Sequence, residues 1–352
     1  MSSDKRIPVA VLGATGSVGQ RFIQLLEGHP WFRVAEVAAS DRSAGKCYAE
    51  ATDWRLSAEM PESARELKVK DLGDELSSPI AFSALPGDAA LEVEARLAKA
   101  GHAVLSNASA YRMDPDVPLV IAEVNPGHLR GVERQKANKG WSGYIVTNGN
   151  CSAIHLTLTL KPLQDAFGID ALLVSTMQAV SGAGYPGVPS LDMIDNVVPY
   201  IGSEEEKLQE EAQKFLGSYD GAFSPASFGI SAHCNRVPVR DGHTECVSIR
   251  LTKPASPDEV IEAFEAFRAR PQELDLPSAP ARPVIVRREN NRPQPNLDRD
   301  VEKGMASTVG RVRECPVMGL KYVLLGHNTV RGAAGASILN AELLKEEGLL
   351  PV

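Results

Sequence analysis

The stretch Ile7-Pro-Val-Ala-Val-Leu-Gly13-Ala-Thr-Gly16-Ser-Val-Gly19 decides the fold class of this chain. A compact apolar run stops at Gly13, and apolar residues at helical spacing begin at Val18. Glycines at such a strand-to-helix turn allow a tight turn, a close approach of backbone N–H groups to a pyrophosphate, and close packing of helix on strand. The stretch therefore predicts a dinucleotide-binding βαβ unit.

Outward from this stretch, the first 150 residues alternate short buried strands with helices, which predicts a parallel sheet with right-handed crossovers. Residues 119–124 are among the predicted strands, and residues 42–78 show too weak a pattern to place any element. Beyond residue 150 the pattern changes. A long helix from Cys151 is followed by strands with in/out alternation, which indicates a largely antiparallel sheet with helices on one face.

The composition is that of an ordinary globular protein with an acidic balance. The 352 residues carry 37 Lys and Arg against 45 Asp and Glu, so the formal net charge is −8. An acidic chain without a Lys/Arg-rich run is not expected to bind nucleic acid or an anionic membrane. No apolar stretch reaches the roughly 18 residues of a membrane span, and no signal-peptide pattern is found.

The cysteines indicate the compartment. Five of them, an odd number without a Cys-x-x-Cys pair, are typical of a reducing environment in which one thiol can be functional. We therefore predict a cytoplasmic α/β enzyme.

The end of the second predicted strand, Ala39-Ser40-Asp41-Arg42-Ser43, bears on which dinucleotide binds. NAD enzymes usually place an acidic residue here for the ribose 2′-hydroxyl. Ser40, Arg42 and Ser43 could instead hold a 2′-phosphate, with charge-assisted hydrogen bonds from Arg42. Asp41 would repel that phosphate if it turned inward, and Arg42 could be an ordinary solvated loop charge. The sequence favours NADP.

Cys151 is the candidate nucleophile because it follows Thr147-Asn-Gly-Asn150 and starts a long apolar helix. A helix N-terminus favours a thiolate, and its N–H groups can hold an oxyanion. From the residues alone, a small apolar residue at a helix start is an equally good interpretation. Seven histidines compete as proton shuttle, and His243, at a loop-to-strand junction, is the best placed of them.

Four motifs in chain order resemble the aspartate-semialdehyde dehydrogenase family: Gly13-Ala-Thr-Gly-Ser-Val-Gly, Gly149-Asn-Cys151-Ser, Gln178-Ala-Val-Ser-Gly-Ala-Gly and Arg236-Val-Pro-Val-Arg-Asp-Gly-His243. The Gln178 motif and Asn291-Arg-Pro-Gln-Pro-Asn-Leu-Asp-Arg-Asp resemble its fungal and archaeal branch. The resemblance implies an α/β protein. A Rossmann NADP-binding domain would span residues 1–149, with a C-terminal helix, 329–352, returning to it. An α+β catalytic and oligomerisation domain similar to that of glyceraldehyde-3-phosphate dehydrogenase would span residues 150–328.

The resemblance also implies a reaction, the NADPH-dependent conversion of L-aspartyl-4-phosphate to L-aspartate-4-semialdehyde and phosphate in lysine, methionine and threonine biosynthesis. Cys151 would attack the acyl phosphate, His243 would be the general acid/base, and Gln178 would position the thioester. A covalent thioester keeps the acyl group from hydrolysing before hydride reaches it.

The family pattern implies a substrate clamp as well. Arg236 resembles the bidentate carboxylate holder, and Glu211 resembles the acid that meets the ammonium, with Glu210 as the alternative. Lys214 and Arg112 resemble the phosphate clamp, and Asn150 is expected at the substrate too. For Arg236, Glu211, Lys214 and Arg112 an ordinary surface salt bridge is the alternative interpretation.

The implied partners are NADP, the substrate with its phosphate, and further copies of the chain in a homodimer or homotetramer, with no metal site. The implied cofactor-binding residues are Gly13, Thr15, Gly16, Ser17, Val18, Gly19, Ser40, Arg42, Ser43, Ser83, Leu85, Pro86, Asn107, Ser181, Gly182, Ala183, Gly184 and Asn328.

Three other functions are weighed on the same fold. Malonyl-CoA reductase also uses a cysteine and NADPH, but its substrate offers no ammonium, so Glu211 weighs against it. A non-catalytic NADP-binding protein would not need the set Cys151, Gln178, Arg236 and His243. N-acetyl-glutamyl-phosphate reductase usually has Gly-Cys-Tyr at its cysteine, where this chain has Gly-Asn-Cys-Ser.

Overall fold

The structure is a computed structural model that describes residues 5–351. The chain divides into two compact units. Unit 1 takes residues 1–120, 127–148 and 337–352, and unit 2 takes residues 121–126 and 149–336. Residues 1–4 and 352, which the predicted domain ranges include, lie outside the described residues.

Unit 1 contains a six-stranded sheet. Its elements are β1 (Ile7–Leu12), α1 (Ser17–Leu26), β2 (Phe32–Ala39), α2 (Tyr48–Ala51), α3 (Glu62–Arg65), β3 (Val69–Asp71), β4 (Ile80–Ser83), α4 (Gly87–Ala100), β5 (Ala103–Ser106), α5 (Gly131–Lys139) and β6 (Tyr144–Thr147). The strand order is β3-β2-β1-β4-β5-β6, and every pair is parallel. The order reverses between β1 and β4, and ligands of doubly wound sheets bind at the carboxyl ends of the strands around such a point.

Unit 2 contains a mixed sheet covered by a long helix. Its strands are β7 (Ile169–Gln178), β8 (Ser218–Tyr219), β9 (Phe223–Ser224), β10 (Gly229–Arg236), β11 (His243–Leu251), β12 (Val284–Arg287), β13 (Ser307–Cys315) and β14 (Gly319–Gly326). Its helices are α6 (Cys151–Phe167), α7 (Ser190–Met193), α8 (Glu204–Phe215), α9 (Pro257–Ala266), α10 (Arg270–Glu273) and α11 (Pro295–Asp298). Short 3₁₀ turns occupy Val180–Ala183 and Val301–Gly304, and a third, Pro126–Arg130, belongs to unit 1 from Gly127 onward. A π-helical turn, Val330–Ala334, leads into α12 (Gly335–Glu346), which belongs to unit 1 from Ser337 onward.

The large sheet of unit 2 has the order β10-β7-β11-β14-β13-β12. The three central pairs are antiparallel, and the two edge pairs are parallel. Helix α6 packs on one face. Side chains alternate along a strand, so Gln178 at the end of β7 and its neighbour Arg236 on β10 both point into that buried face. Leu173, which points the other way, is 48% exposed.

The predicted α/β class is confirmed. The strand predicted over residues 119–124 is wrong, because the chain turns there instead of pairing. Leu119 makes a single bridge to Thr147. In residues 121–126 the Asn125 Oδ1 accepts the Ile121 N–H at 2.9 Å, and the Asn125 N–H returns to the Ile121 carbonyl at 3.1 Å. Buried apolar residues without a ladder partner therefore look like a strand in sequence.

Candidate active site

The glycine-rich turn of unit 1 has the close contacts that the sequence predicts. Gly13 has a φ of +68°, and a Cβ there would lie 2.7 Å from the Ala84 carbonyl oxygen. A Cβ on Gly19 would lie 2.2 Å from the Gly13 carbonyl oxygen, so this helix can approach the strand only with glycine. Gly16 is the N-cap of α1 and supplies no side-chain cap. The first N–H groups of the helix, from Ser17 onward, thus suit a pyrophosphate.

The loop after β2 carries the residues predicted to choose between NAD and NADP. Ser40 and Arg42 are exposed, and the Ser43 N–H donates to the Ser40 carbonyl at 2.9 Å. The Asp41 Oδ1 accepts the Arg42 N–H at 2.8 Å, so this carboxylate is engaged with its own loop. The arrangement leaves the Arg42 side chain accessible to a 2′-phosphate.

The loops after β4 and β5 are tied to one another. The Asn107 N–H and Nδ2 donate to the Ser83 carbonyl at 3.0 and 3.2 Å. The Arg112 Nη2 donates to the Asn107 carbonyl at 2.7 Å. The structure therefore brings Ser83, Asn107 and Arg112 together at the carboxyl edge of the parallel sheet, and Leu85 and Pro86 follow directly after β4.

Cys151 in unit 2 is the first residue of α6, as predicted. Its neighbour Asn150 is the N-cap, and the Asn150 Oδ1 accepts the N–H groups of Ser152 and Ala153 at 2.9 and 3.2 Å. A Cβ on Gly332 would lie 2.8 Å from the Cys151 Cβ, so the π-helical turn also approaches the thiol closely. Cap and packing together fix where the thiol lies.

The backbone of Ala179, just after β7, orients two of the predicted site residues. Its N–H donates to the His243 Nδ1 at 3.0 Å, and its carbonyl accepts the Arg236 Nη1 at 2.7 Å. His243 is fully buried and Arg236 is nearly so. One peptide segment therefore holds both side chains, and nothing in the identity of an alanine predicts this.

The contact with Ala179 sets the protonation of His243. A nitrogen that accepts an N–H carries no proton, so the neutral ring has its proton on Nε2. Burial and the charge of Arg236 hold the pKa of His243 well below its usual range, so the ring is neutral near pH 7. The Nε2–H has no hydrogen-bond partner among residues 5–351. It is a donor available to a ligand.

Because Gly182 has no side chain, the space between Arg236 and His243 stays open. A Cβ at this position would lie 2.9 Å from the Arg236 Nη1 and 3.3 Å from the His243 Nε2. Burial lowers the pKa of Arg236, and the negative charge of the Cys151 thiolate acts in the opposite direction. The thiol, the guanidinium and the imidazole therefore belong to one electrostatic site.

Two acids of α8 contact the nucleophile turn. Glu204, which sequence reasoning missed, accepts both Asn150 Nδ2 (2.8 Å to its Oε2) and Gln178 Nε2 (3.0 Å). The Glu211 Oε2 accepts the Asn150 N–H at 2.5 Å, and this side chain is buried whereas Glu210 is exposed. Only the run of three acids at the start of α8 hinted at Glu204, and such a run usually just complements the helix dipole.

Lys214 and the loop after Ala179 complete the predicted residues in unit 2. The Lys214 ammonium lies 5.2 Å above the ring of Phe223 and is buried. The Ser181 Oγ accepts the Asn328 Nδ2 at 2.8 Å, and the Asn328 Oδ1 accepts the Gly242 N–H at 2.9 Å. Asn328 thus ties the 181–184 loop to the turn that precedes His243.

His155, one turn after Cys151, is a core residue. It is fully buried, its Nδ1 lies 2.8 Å from the Ser307 Oγ, and burial lowers its pKa to about 3. Within the described chain, no group of three or more His, Cys, Asp or Glu side chains could hold a metal ion. No helix among residues 5–351 is both long and apolar enough to cross a membrane.

Two family models match the chain, one in each half. The model described as "Semialdehyde dehydrogenase, NAD binding domain" matches residues 8–132, and "Semialdehyde dehydrogenase, dimerisation domain" matches residues 160–331. Together they cover most of the sequence.

Full-length relatives agree with these models. An aspartate-semialdehyde dehydrogenase of Methanothermobacter thermautotrophicus is 58% identical, covering 97% of this chain and 99% of its own. One of Schizosaccharomyces pombe is 47% identical at the same coverage. The crystal structure of aspartate semialdehyde dehydrogenase with NADP from Candida albicans has a TM-score of 0.90 at 43% identity, over 98% of this chain and 100% of its own. The resemblance seen in the sequence is confirmed, and the chain belongs to the aspartate-semialdehyde dehydrogenase family.

Proposed function

We propose that this chain reduces L-aspartyl-4-phosphate with NADPH through a thioester on Cys151. The observation that carries the proposal is the arrangement around Ala179 and Gly182. There the buried Arg236 guanidinium and the His243 Nε2–H flank one opening. A negative charge on Cys151 favours the charged form of Arg236 and raises its pKa, which indicates that the two groups are neighbours. A site of this kind suits a substrate with a carboxylate and a reacting carbonyl.

The reduced cofactor, NADPH, would supply the hydride that reduces the thioester when it is bound. In unit 1, the glycine turn from Gly13 to Gly19 would hold its pyrophosphate, and Ser40, Arg42 and Ser43 would hold its 2′-phosphate. The NAD-binding family model and the NADP-bound relative from Candida albicans support this choice of cofactor. In unit 2, Ser181, Gly182, Ala183, Gly184 and Asn328 stay predicted cofactor contacts, as do Thr15, Ser17, Val18, Ser83, Leu85, Pro86 and Asn107 in unit 1.

The residues of unit 2 carry out the covalent chemistry and stabilise its intermediates. The Cys151 thiolate attacks the carbonyl carbon, the bond from carbon to the phosphate oxygen breaks, and a thioester forms as phosphate leaves. The His243 Nε2–H donates to the negative oxygen of each tetrahedral intermediate, as does the start of α6. His243 stays the predicted general acid/base, and because its Nδ1 accepts the Ala179 N–H it acts through Nε2. Gln178 orients the thioester.

Substrate recognition is assigned to charged groups of the same unit. Arg236 holds the α-carboxylate bidentately, which fits its anchored and desolvated guanidinium. Glu211 meets the α-ammonium, and Lys214 meets the phosphate. Asn150 acts at the substrate through the position it gives to Cys151. The role of Arg112 in phosphate binding stays a prediction.

The remaining predictions concern organisation. We assign NADP binding to residues 1–149 with 329–352, and catalysis and oligomerisation to residues 150–328. The dimerisation family model supports a homodimer at least, and a homotetramer is the alternative. The cytoplasmic location expected from the thiols stays a prediction.

Steady-state kinetics in the reverse direction test the proposal. The chain should reduce NADP with L-aspartate-4-semialdehyde only when phosphate is present, and it should not oxidise NADPH with malonyl-CoA. Arg236→Lys should lower kcat/KM for the semialdehyde by roughly 10- to 150-fold, because an ammonium cannot replace a bidentate fork. Glu211→Ala should raise the KM for the semialdehyde much more than the Kd for NADP.

Glu210→Ala is the matched control, since this neighbouring acid is exposed. Its kinetic constants should equal those of the parent. Normal constants in both Arg236→Lys and Glu211→Ala would reject the clamp. Turnover of malonyl-CoA would then favour the CoA-dependent alternative, and NADP binding without any turnover would favour the non-catalytic one.

A further inference from the structure

Glu94 in unit 1 is a buried acid that the proposed mechanism does not use. It lies on α4, is fully buried, and its Oε1 accepts the Ser106 Oγ–H at 2.7 Å. The Oε2 is buried without a close hydrogen-bond partner among the described residues, and the Ser83 hydroxyl is near enough to favour the charged form of the carboxyl. A carboxyl group in this position costs stability, and an apolar side chain of similar size is often as stable or more so. Its presence therefore calls for another reason.

The contacts of Ser106 supply that reason. Its Oγ accepts the Ala108 N–H at 3.1 Å while it donates to Glu94. Asn107 lies between Ser106 and Ala108 in the chain. It donates to the Ser83 carbonyl, and its own carbonyl accepts the Arg112 Nη2 at 2.7 Å. The conformation of residues 106–112 thus depends on a serine hydroxyl whose direction Glu94 fixes.

We propose that Glu94 is a positioning residue that fixes the loop 106–112 through Ser106, and thereby sets the affinity for NADP at Asn107 and for phosphate at Arg112. The phosphate part rests on the proposed function. Burial raises the pKa of Glu94 to about 7, while the hydroxyls of Ser83 and Ser106 and, after them, the charge of Arg112 favour the carboxylate.

Four variants test the proposal: Glu94→Leu, Ser106→Ala, the double variant, and Glu94→Gln, whose amide oxygen can still accept the serine hydroxyl. The Kd for NADP is measured by equilibrium titration without turnover, and the KM for phosphate in the reverse reaction. We expect Glu94→Leu and Ser106→Ala each to raise both constants about 10-fold, the effect of one lost hydrogen bond. The double variant should be no worse than either single variant, and Glu94→Gln should stay near the parent. The KM for aspartate semialdehyde should not change, since its predicted contacts lie in unit 2.

Glu342→Gln is the control, because Glu342 is another fully buried acid of unit 1 and bonds to His29 at 2.8 Å. It should change thermal stability but not the Kd for NADP. Additive effects of Glu94→Leu and Ser106→Ala, or an unchanged Kd for NADP in Ser106→Ala, would overturn the proposal. If the parent binds NADP but does not turn over, the proposed function fails, and the titration still decides the role of Glu94.

Discussion

Replacing Gly182 with alanine should damage the active site without damaging the fold. The added Cβ would lie 2.9 Å from the Arg236 Nη1, closer than a carbon atom can approach. Arg236 is buried, and its Nη1 donates a hydrogen bond to the Ala179 carbonyl. The guanidinium can therefore move away from the added Cβ only if that hydrogen bond weakens. The same Cβ would lie 3.3 Å from the His243 Nε2 and would cover the donor proposed for the oxyanion.

The expected loss in kcat/KM follows from the displacement of the Arg236 guanidinium. Misplacing one charge-assisted contact to the substrate carboxylate costs about 1.5–3 kcal/mol, which lowers kcat/KM for aspartate semialdehyde by roughly 10- to 150-fold. The free energy of unfolding should fall by no more than about 1 kcal/mol, the contribution of the one weakened hydrogen bond, because Gly182 is exposed and does not have a left-handed φ. The Kd for NADP shows whether the cofactor is affected as well.

Gly127→Ala is the matched control, since a Cβ there would meet no atom within 4 Å and its φ is not left-handed either. Both variants are assayed with saturating NADP and phosphate, and their thermal midpoints are compared. If Gly182→Ala keeps kcat/KM within about 3-fold of Gly127→Ala, a difference below 1 kcal/mol, then Arg236 and His243 do not meet the substrate at this opening.

Three further predictions concern other residues. Cys151→Ala should abolish turnover and leave the Kd for NADP unchanged. Mass spectrometry of the parent should find an electrophilic substrate analogue bound to the Cys151 thiol. Labelling of another cysteine, with activity intact in Cys151→Ala, would reject Cys151 as the nucleophile. Arg42→Ala should weaken NADP by roughly 10- to 150-fold and leave NADH unaffected, and equal use of both cofactors by the parent would point to Asp41 instead. Glu94→Gln should gain stability relative to the parent as pH rises. Burial raises the pKa of Glu94 from 4.5 to about 7, so the parent loses up to about 1.4 kcal/mol per pH unit between those values and the amide does not. Urea unfolding at pH 5 and pH 8 measures the gain, and parallel stabilities would contradict it.

The sequence predicted most of what depends on local signals. The start of α6 at Cys151 was predicted to the residue, because Asn150 caps it and the cap is a short-range contact. The parallel pairing of the strands around the glycine turn followed from the alternation of buried strands with helices. The strand at 119–124 failed for the same kind of reason, since burial and side-chain pattern carry no information about whether a ladder partner is present.

What the sequence could not predict are contacts that need the tertiary fold. Glu204 lies 54 residues from Asn150 along the chain, and only the packing of α8 on α6 brings its carboxylate to that amide. The buried pair of Arg331 with Glu123 spans 208 residues and joins the π-helical turn to the 121–126 segment. The family motifs mark residues that are predicted to touch ligands, whereas Glu204 holds two such residues, Asn150 and Gln178, in place.

The role of Ala179 has a consequence for how such sites are surveyed by mutation. Its hydrogen bonds to His243, Arg236 and Gly182 all come from the peptide group, and its methyl group only packs. A scan that exchanges side chains therefore measures packing and does not detect the coupling between imidazole and guanidinium. Proline alone edits the peptide group: the φ of −64° suits its ring and the carbonyl to Arg236 is retained, but a ring carbon replaces the N–H to His243 and displaces the imidazole. The tautomer of a catalytic ring is thus encoded at a position where an alanine scan has nothing to change.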